Sequence, residues 1–143
     1  MSTERFATFT VDGMYLGIDI VRVREVLRPQ RITPVALAAP EVAGLLNLRG
    51  EIVTAIDLRR RLGLPDRETD EPRPNVVVST DRGVVSLLVD QIGDVVTADE
   101  RCFELPPETL RGAGRTLIRG AYKLPDRLLL ELDLDEVLAV AAV

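Results

Sequence analysis

Gly44-Leu45-Leu46-Asn47-Leu48-Arg49-Gly50-Glu51-Ile52-Val53-Thr54-Ala55-Ile56-Asp57-Leu58 is the stretch on which the reading of this chain turns. Two apolar runs flank an Arg-Gly pair, the pattern of two strands joined by a tight turn. Gly50 is free to take the positive φ that such a turn often demands. A lone Asn47 and a lone Arg49 stand in otherwise hydrophobic surroundings, so the hairpin presents a polar spot beside apolar surface.

Toward the N-terminus, Phe6 to Val11 and Met14 to Ile20 flank Asp12-Gly13, a strong hairpin signal. Leu16, Ile18 and Ile20 alternate with Gly17 and Asp19, as in a half-buried strand. Val23, Val26 and Leu27 then fall three and four apart, with Arg22, Arg24 and Glu25 between them. This spacing predicts a short amphipathic helix over 20–27, ended by Pro29. Ile32-Thr33-Pro34-Val35 is expected to be extended, because the residue before a proline is pushed away from helix. Pro40 to Ala43 reads as one helical turn with proline at its first position. Leu58 to Leu62 reads as another, stopped by Gly63-Leu64-Pro65.

Toward the C-terminus, 66–74 is a charged, proline-bearing loop, expected to be mobile and tolerant of change. Asn75 to Thr80 and Val84 to Val89 form the next hairpin, with Gly83 in the left-handed position of a three-residue turn. Leu87, Leu88 and Val89 follow one another without alternation, which implies cover on both faces. Val95 to Thr97 is a short strand, and Pro106-Pro107 and Gly112-Ala113-Gly114 bracket an irregular stretch. Leu117 to Tyr122 pairs with Leu128 to Leu132 across a turn at Leu124 to Arg127. A helix over 134–140 closes the chain. About ten short strands at this spacing mean a barrel or sandwich, not a parallel α/β fold. Two small barrels sharing a hydrophobic seam are the economical answer, with a junction near 66–74 and terminal segments crossing between them. The sequence itself shows no internal repeat.

The 143 residues suffice for a real core, and 46% apolar residues exclude wholesale disorder. A net charge of −5 argues against a nucleic-acid partner, which needs a basic face. Arg59-Arg60-Arg61 and the group Arg22, Arg24, Arg28 and Arg31 read as solvated surface. Cys102 is the single cysteine, so neither an internal disulfide nor a cysteine metal cluster forms, and its free thiol suits a reducing cytoplasm. No basic-then-apolar leader opens the chain, and no apolar run approaches the roughly 20 residues of a membrane span. Membrane association is therefore expected only through a partner.

Histidine is absent. That removes the commonest general base, the commonest metal ligand and every Ser-His or Cys-His pair. Asp90, Asp94, Asp99 and Glu100 lack the glycine-punctuated spacing of a calcium loop and read as solvated turn residues. Gly112 to Thr116 echoes a phosphate loop only faintly: it lacks the Gly-Lys-Ser/Thr ending and is expected to lead into a strand. Catalysis, a cofactor, a metal and a small-molecule substrate are all unexpected.

Two constellations remain. Glu25 and Arg49 either form a two-pronged ion pair that fixes the predicted helix against the hairpin, or both face water. The apolar face of Val23, Val26 and Leu27 is either core or a docking patch.

Tyr15 to Ile20, Arg24-Glu25-Val26, Ile32 to Val35, Pro40 to Gly44, the Asn47-Leu48-Arg49-Gly50 hairpin and Asp57-Leu58-Arg59 occur in one order that resembles the CheW family of chemotaxis coupling proteins. Val89 to Val95 and Leu132-Asp133-Leu134 are similar to the family's second half, whereas 100–116 is not diagnostic. Ala36 and Thr54-Ala55 depart from prolines common in the family. The resemblance implies two intertwined five-stranded barrels of the Src-homology-3 type. It implies a non-enzymatic adaptor joining the cytoplasmic tip of methyl-accepting chemoreceptors to the regulatory domain of a CheA-type histidine kinase, located in the cytoplasm at receptor arrays. Carried onto this chain, it nominates Val23, Glu25, Leu27, Arg49 and Leu88 for the receptor and Gly44, Leu45, Val53 and Ala55 for the kinase. Because the chain begins and ends with this domain, a free-standing adaptor is expected in preference to a kinase fusion. An adaptor of a non-flagellar pathway, with surface motility or a second messenger as output, is the alternative; a small enzyme is the remote one.

Overall fold

Asp12 and Gly13 (φ 50° and 78°) and Arg49 and Gly50 (φ 52° and 89°) each reverse the chain through two left-handed residues. That twist matches the twist of paired strands, so both predicted hairpins close tightly. The computed structural model describes residues 2–108, 110 and 112–139. The protein is mainly β, with two sheets and a few short helices. β1 (Thr3–Val11), β2 (Met14–Asp19), β3 (Val23–Leu27), β4 (Val42–Leu48) and β5 (Glu51–Asp57) lead into helix α1 (Leu58–Arg61). β6 (Asn75–Thr80), β7 (Gly83–Leu88), β8 (Gln91–Asp99) and β9 (Phe103–Glu104) precede α2 (Ala113–Leu117). β10 (Ile118–Lys123), β11 (Leu128–Leu132) and α3 (Leu134–Val137) complete the described chain.

One sheet has six strands in the order β8-β1-β2-β11-β10-β9; the other has five, β3-β6-β7-β5-β4. The expected pair of five-stranded barrels is thus a six- and a five-stranded sheet, and neither ladder closes on itself among the described residues. The two orders repeat one plan. In each sheet a hairpin (β1–β2 or β6–β7) runs parallel to the last strand of another hairpin (β10–β11 or β4–β5). β5 ends at Asp57 and β11 is followed at once by Asp133, and each aspartate side chain caps a four-residue helix. A topological repeat therefore exists where the sequence shows none. The chain passes between sheets at Ile20–Arg22 and again at Val89-Asp90, whereas 66–74 joins β5 and α1 to β6 of the same sheet.

Burial follows from strand alternation. On β6, Val76 and Val78 enter a large cluster between the sheets with Phe9, Leu16, Ile18, Leu87 and Leu130. Val77 points the other way, into a small cluster with Leu46, Leu48, Val53 and Ala55. The six-stranded sheet has its own small cluster of Phe6, Ala98, Tyr122 and Leu129. Runs of apolar residues without alternation are strands covered on both faces.

Several expectations need correction. The helix over 20–27 is a 3-10 turn, Ile20–Arg22, followed by strand β3. A bulge between Val23 and Glu25 in the pairing with β6 interrupts the strand period, and the three-and-four spacing imitates a helix. Glu25 and Leu27 consequently share one half-buried side, whereas Val23, opposite Val78, and Val26, opposite Val76, lie on the other. Pro40-Glu41 is a turn and β4 begins at Val42. Gly112 leads into helix α2 before β10, although the residues that would bind phosphate are still missing. Thr80 pairs with Gly83 around a two-residue turn. Val140, the expected end of the closing helix, lies outside the described residues.

Candidate functional site

β3 and β4 are the two edges of the five-stranded sheet. Glu25 projects from β3, and Arg49 follows β4 in its left-handed turn. Arg49 Nη1 donates to Glu25 Oε1 at 3.2 Å, and Arg49 Nη2 donates to Glu25 Oε2. The hydrogen bond from Arg49 holds the Glu25 carboxyl below the usual carboxylate range, and Glu25 raises the Arg49 guanidinium. Asn47 Oδ1 accepts from Gly50 N at 2.8 Å, which stiffens the tip from below.

Strand register shows which candidates are neighbours. Glu25, Val77, Ser86, Ala55 and Gly44 form one row across all five strands. Leu27, Asn75, Leu88 and Asp57 form the next row on that face. Leu27 packs on the cluster containing Val53 and Ala55, so residues nominated for different partners share one small core. Val23 packs instead against the seam between the sheets. Leu88, Val53 and Ala55 are only 5%, 1% and 0% exposed and shape the surface from within. Leu45 is half-buried and forms a two-bond bridge with Thr33, at 2.8 Å for each bond. Gly44 (φ 149°) lies against Thr33, whose carbonyl oxygen would stand 2.2 Å from any Cβ placed there.

Asn75 and Ser86 are fully buried, and Ser86 Oγ donates to Asn75 Oδ1 at 2.7 Å. Sequence reasoning passed over this polar pair, although an Asn and a Ser inside valine-rich strands were its signal. It also passed over a latch between the sheets. Arg59 Nη2 donates to Asp90 Oδ2 at 2.8 Å, and that oxygen also accepts from Asp12 N at 2.8 Å. Asp90 N in turn donates to Thr10 O at 3.0 Å, so α1, the β7–β8 link and the β1–β2 turn are tied together. Asp90 was expected to be a solvated turn residue, yet its side chain is only 15% exposed.

Among the described residues no group of three acidic or cysteine side chains is placed to hold a metal ion. Cys102 is exposed, and no helix of the described residues is long and apolar enough to cross a membrane. The site combines an apolar row, a clamped guanidinium and two strand edges, which recognise other polypeptides better than small substrates.

Comparison with known proteins agrees along nearly the whole length. The family model of the CheW-like domain matches residues 5–142. The chain is 35% identical over 136 residues to the chemotaxis protein CheW of Bacillus subtilis, covering 94% of this chain and 86% of that protein. It is 29% identical over 136 residues to CheW of Klebsiella aerogenes, covering 95% and 82%. The crystal structure of the scaffolding protein TtCheW from Thermoanaerobacter tengcongensis is similar with a TM-score of 0.85 and 26% identity, over 98% of this chain and 95% of that one.

Proposed function

Because the chain belongs to the CheW-like family, we propose that it is a non-enzymatic adaptor that couples methyl-accepting chemoreceptors to a CheA-type histidine kinase. Agreement between the family match and the structural likeness to the scaffolding protein TtCheW, each over nearly the whole chain, carries this reading. The adaptor works in the cytoplasm and reaches the membrane through its receptor.

The two sheets are read as barrel-like halves of one domain, of the Src-homology-3 kind. Two features support that curl: the Glu25–Arg49 pair links the edges of one sheet, and the turn Glu100–Cys102 links edge strands β8 and β9 of the other. Val23, Glu25, Leu27 and Arg49, with Leu88 beneath, form the receptor surface. Gly44 and Leu45, supported by Val53 and Ala55, shape the kinase surface.

No bond is made or broken. Receptor states that differ in affinity for the adaptor shift the kinase between activities, so the output is a coupling free energy between two binding surfaces. A reconstituted assembly of receptor, adaptor and kinase tests this. Kinase activity should depend on adaptor concentration and respond to receptor ligand; activity indifferent to the adaptor overturns the reading.

A further inference from the structure

Glu131 lies on the inner side of β11 in the six-stranded sheet, at 6% exposure, where strand alternation calls for an apolar residue. In the repeated plan the equivalent place on β5, two residues before the capping aspartate, is Ala55, packed in the small core. Glu131 makes no hydrogen bond among the described residues. The nearest cation, Arg119 Nη1, is 3.8 Å from Oε2, beyond hydrogen-bond range, and its own side chain is 67% exposed. Its ladder neighbours are Gly120 and Gly17, which have no side chains to offer.

This carboxylate lines a crevice of about 400 Å³ with Glu4, Asp19, Asp133 and Arg119, and with Arg22 and Asp135, which pair with each other at 3.2 Å. Asp19 and Asp133 accept backbone N–H bonds from Val21 and Glu136, whereas Glu4 has no partner among the described residues. Ile18, Leu132 and Leu134 supply apolar wall, and Val21 stands at the rim with 78% exposure. The crevice therefore combines excess negative charge, a largely buried carboxylate that makes no hydrogen bond among the described residues and pairs with Arg119 only at 3.8 Å, and an apolar wall.

We propose that this crevice is a docking pocket for the side chain of a lysine or arginine on a partner protein. A long basic side chain lays its methylenes on apolar wall and delivers its charged head to carboxylates, which fits the greasy rim and the acidic floor together. A bare divalent ion fits less well, since no three acidic side chains among the described residues converge as ligands. The proposal takes from the adaptor reading only that the occupant belongs to a protein; the pocket's preference for a cation is tested without kinase or receptor.

The test titrates acetyl-arginine amide into the full chain and follows amide chemical shifts, with the neutral acetyl-citrulline amide as control. Saturable shifts centred on Glu131, Asp19 and Glu4 are expected with arginine and not with citrulline. Glu131→Gln should weaken that binding about tenfold, as loss of a charge-assisted contact does. Glu131→Leu should abolish it while the melting temperature holds or rises, since this weakly paired buried carboxylate serves binding at some expense of stability. Equal shifts with citrulline, binding indifferent to Glu131→Gln, or a marked drop in melting temperature for Glu131→Leu each overturn the proposal.

Discussion

Glu25 and Arg49 sit at opposite ends of one five-strand ladder and still share two hydrogen bonds. The sheet must curl for its edges to meet, and the pair spans the gap that main-chain bonds leave open. The Arg49 side chain is 67% exposed and that of Glu25 26%, so solvent screening keeps the pair's weight in stability small. Their value is geometric, because a guanidinium and a carboxylate lock in two prongs. We expect Arg49→Glu to leave the melting temperature nearly unchanged and to lower receptor-dependent kinase activation by about tenfold, the size typical of an interface anchor. Restoration by the exchanged pair Glu25→Arg with Arg49→Glu would assign the effect to geometry; activation equal to the parent by Arg49→Glu alone would remove these residues from the receptor surface.

Arg59 and Asp90 are a different kind of pair, with side chains 12% and 15% exposed and three segments tied through them. Burial alone would raise Asp90, but the Arg59 hydrogen bond and the Asp12 amide hold its carboxyl below the usual carboxylate range. A lowered folded-state value gives stability that is present above the unfolded value of about 3.9 and is lost as pH falls through the folded one. Arg59→Ala should therefore cost about 3 kcal/mol at neutral pH, by stranding a largely buried carboxylate. In urea titrations against pH, Asp90→Asn should flatten the acid limb below about pH 4. Unchanged acid sensitivity would place the latch elsewhere.

Local signals carried much of the fold. Asp12-Gly13 and Arg49-Gly50 read as hairpins because their turns are specified by the two residues themselves. β3 misled because Val23 to Leu27 is a strand only in the company of β6, and a bulge spoils its period. The topological repeat was hidden for a similar reason. Asp57 and Asp133 cap equivalent helices, but the residues around them differ, and only pairing across sheets reveals the equivalence. Exposure at the site was not legible either: Leu88, Val53 and Ala55 look the same in sequence whether inward or outward. Glu131 did carry a signal, a carboxylate within Leu128-Leu129-Leu130-Glu131-Leu132, which becomes informative once inner and outer faces are known.

Gly44 gives a direct check on the bridge that lays the 28–41 connector against β4. A methyl group there would stand 2.2 Å from Thr33 O, and backbone cannot retreat as a flexible side chain does. Gly44→Ala should destabilise by about 2 kcal/mol or more through positive φ and this overlap. Loss of hydrogen-exchange protection at Leu45 N, which donates to Thr33 O, should accompany it. A variant as stable and as protected as the parent would mean that the connector is not held there.

Glu131 makes a pH signature of opposite sign. Burial raises its carboxyl, Glu4, Asp19 and Asp133 add to the rise, and Arg119 opposes it. A raised folded-state value gives stability that is full below the unfolded value of about 4.3 and is lost as pH climbs through the folded one. Glu131→Gln should thus gain stability over the parent at pH 7, and the gain should vanish below about pH 4. A constant difference across pH would show that the side chain matters by shape rather than by charge.

The 66–74 loop, expected to be mobile and tolerant of change, is anchored at both ends, and at its start Asp66 accepts from Arg60 Nε and Nη2 at 3.0 Å each. Arg73 donates from both Nη atoms to Asp57, at 3.1 and 3.0 Å, and the Asp57 side chain is only 8% exposed while also capping α1. Glu68, Thr69 and Asp70 are exposed. Replacing those three with Gly-Ser-Gly should change stability by less than about 1 kcal/mol, since loop-closure entropy varies slowly with composition and length. Arg73→Ala should cost about 2 kcal/mol, because it leaves a buried carboxylate with backbone donors and Arg60 only at 3.8 Å. Chemical denaturation of the two variants separates these cases: a large loss from the Gly-Ser-Gly replacement, or none from Arg73→Ala, would show that the loop is held by its tip and not by its root.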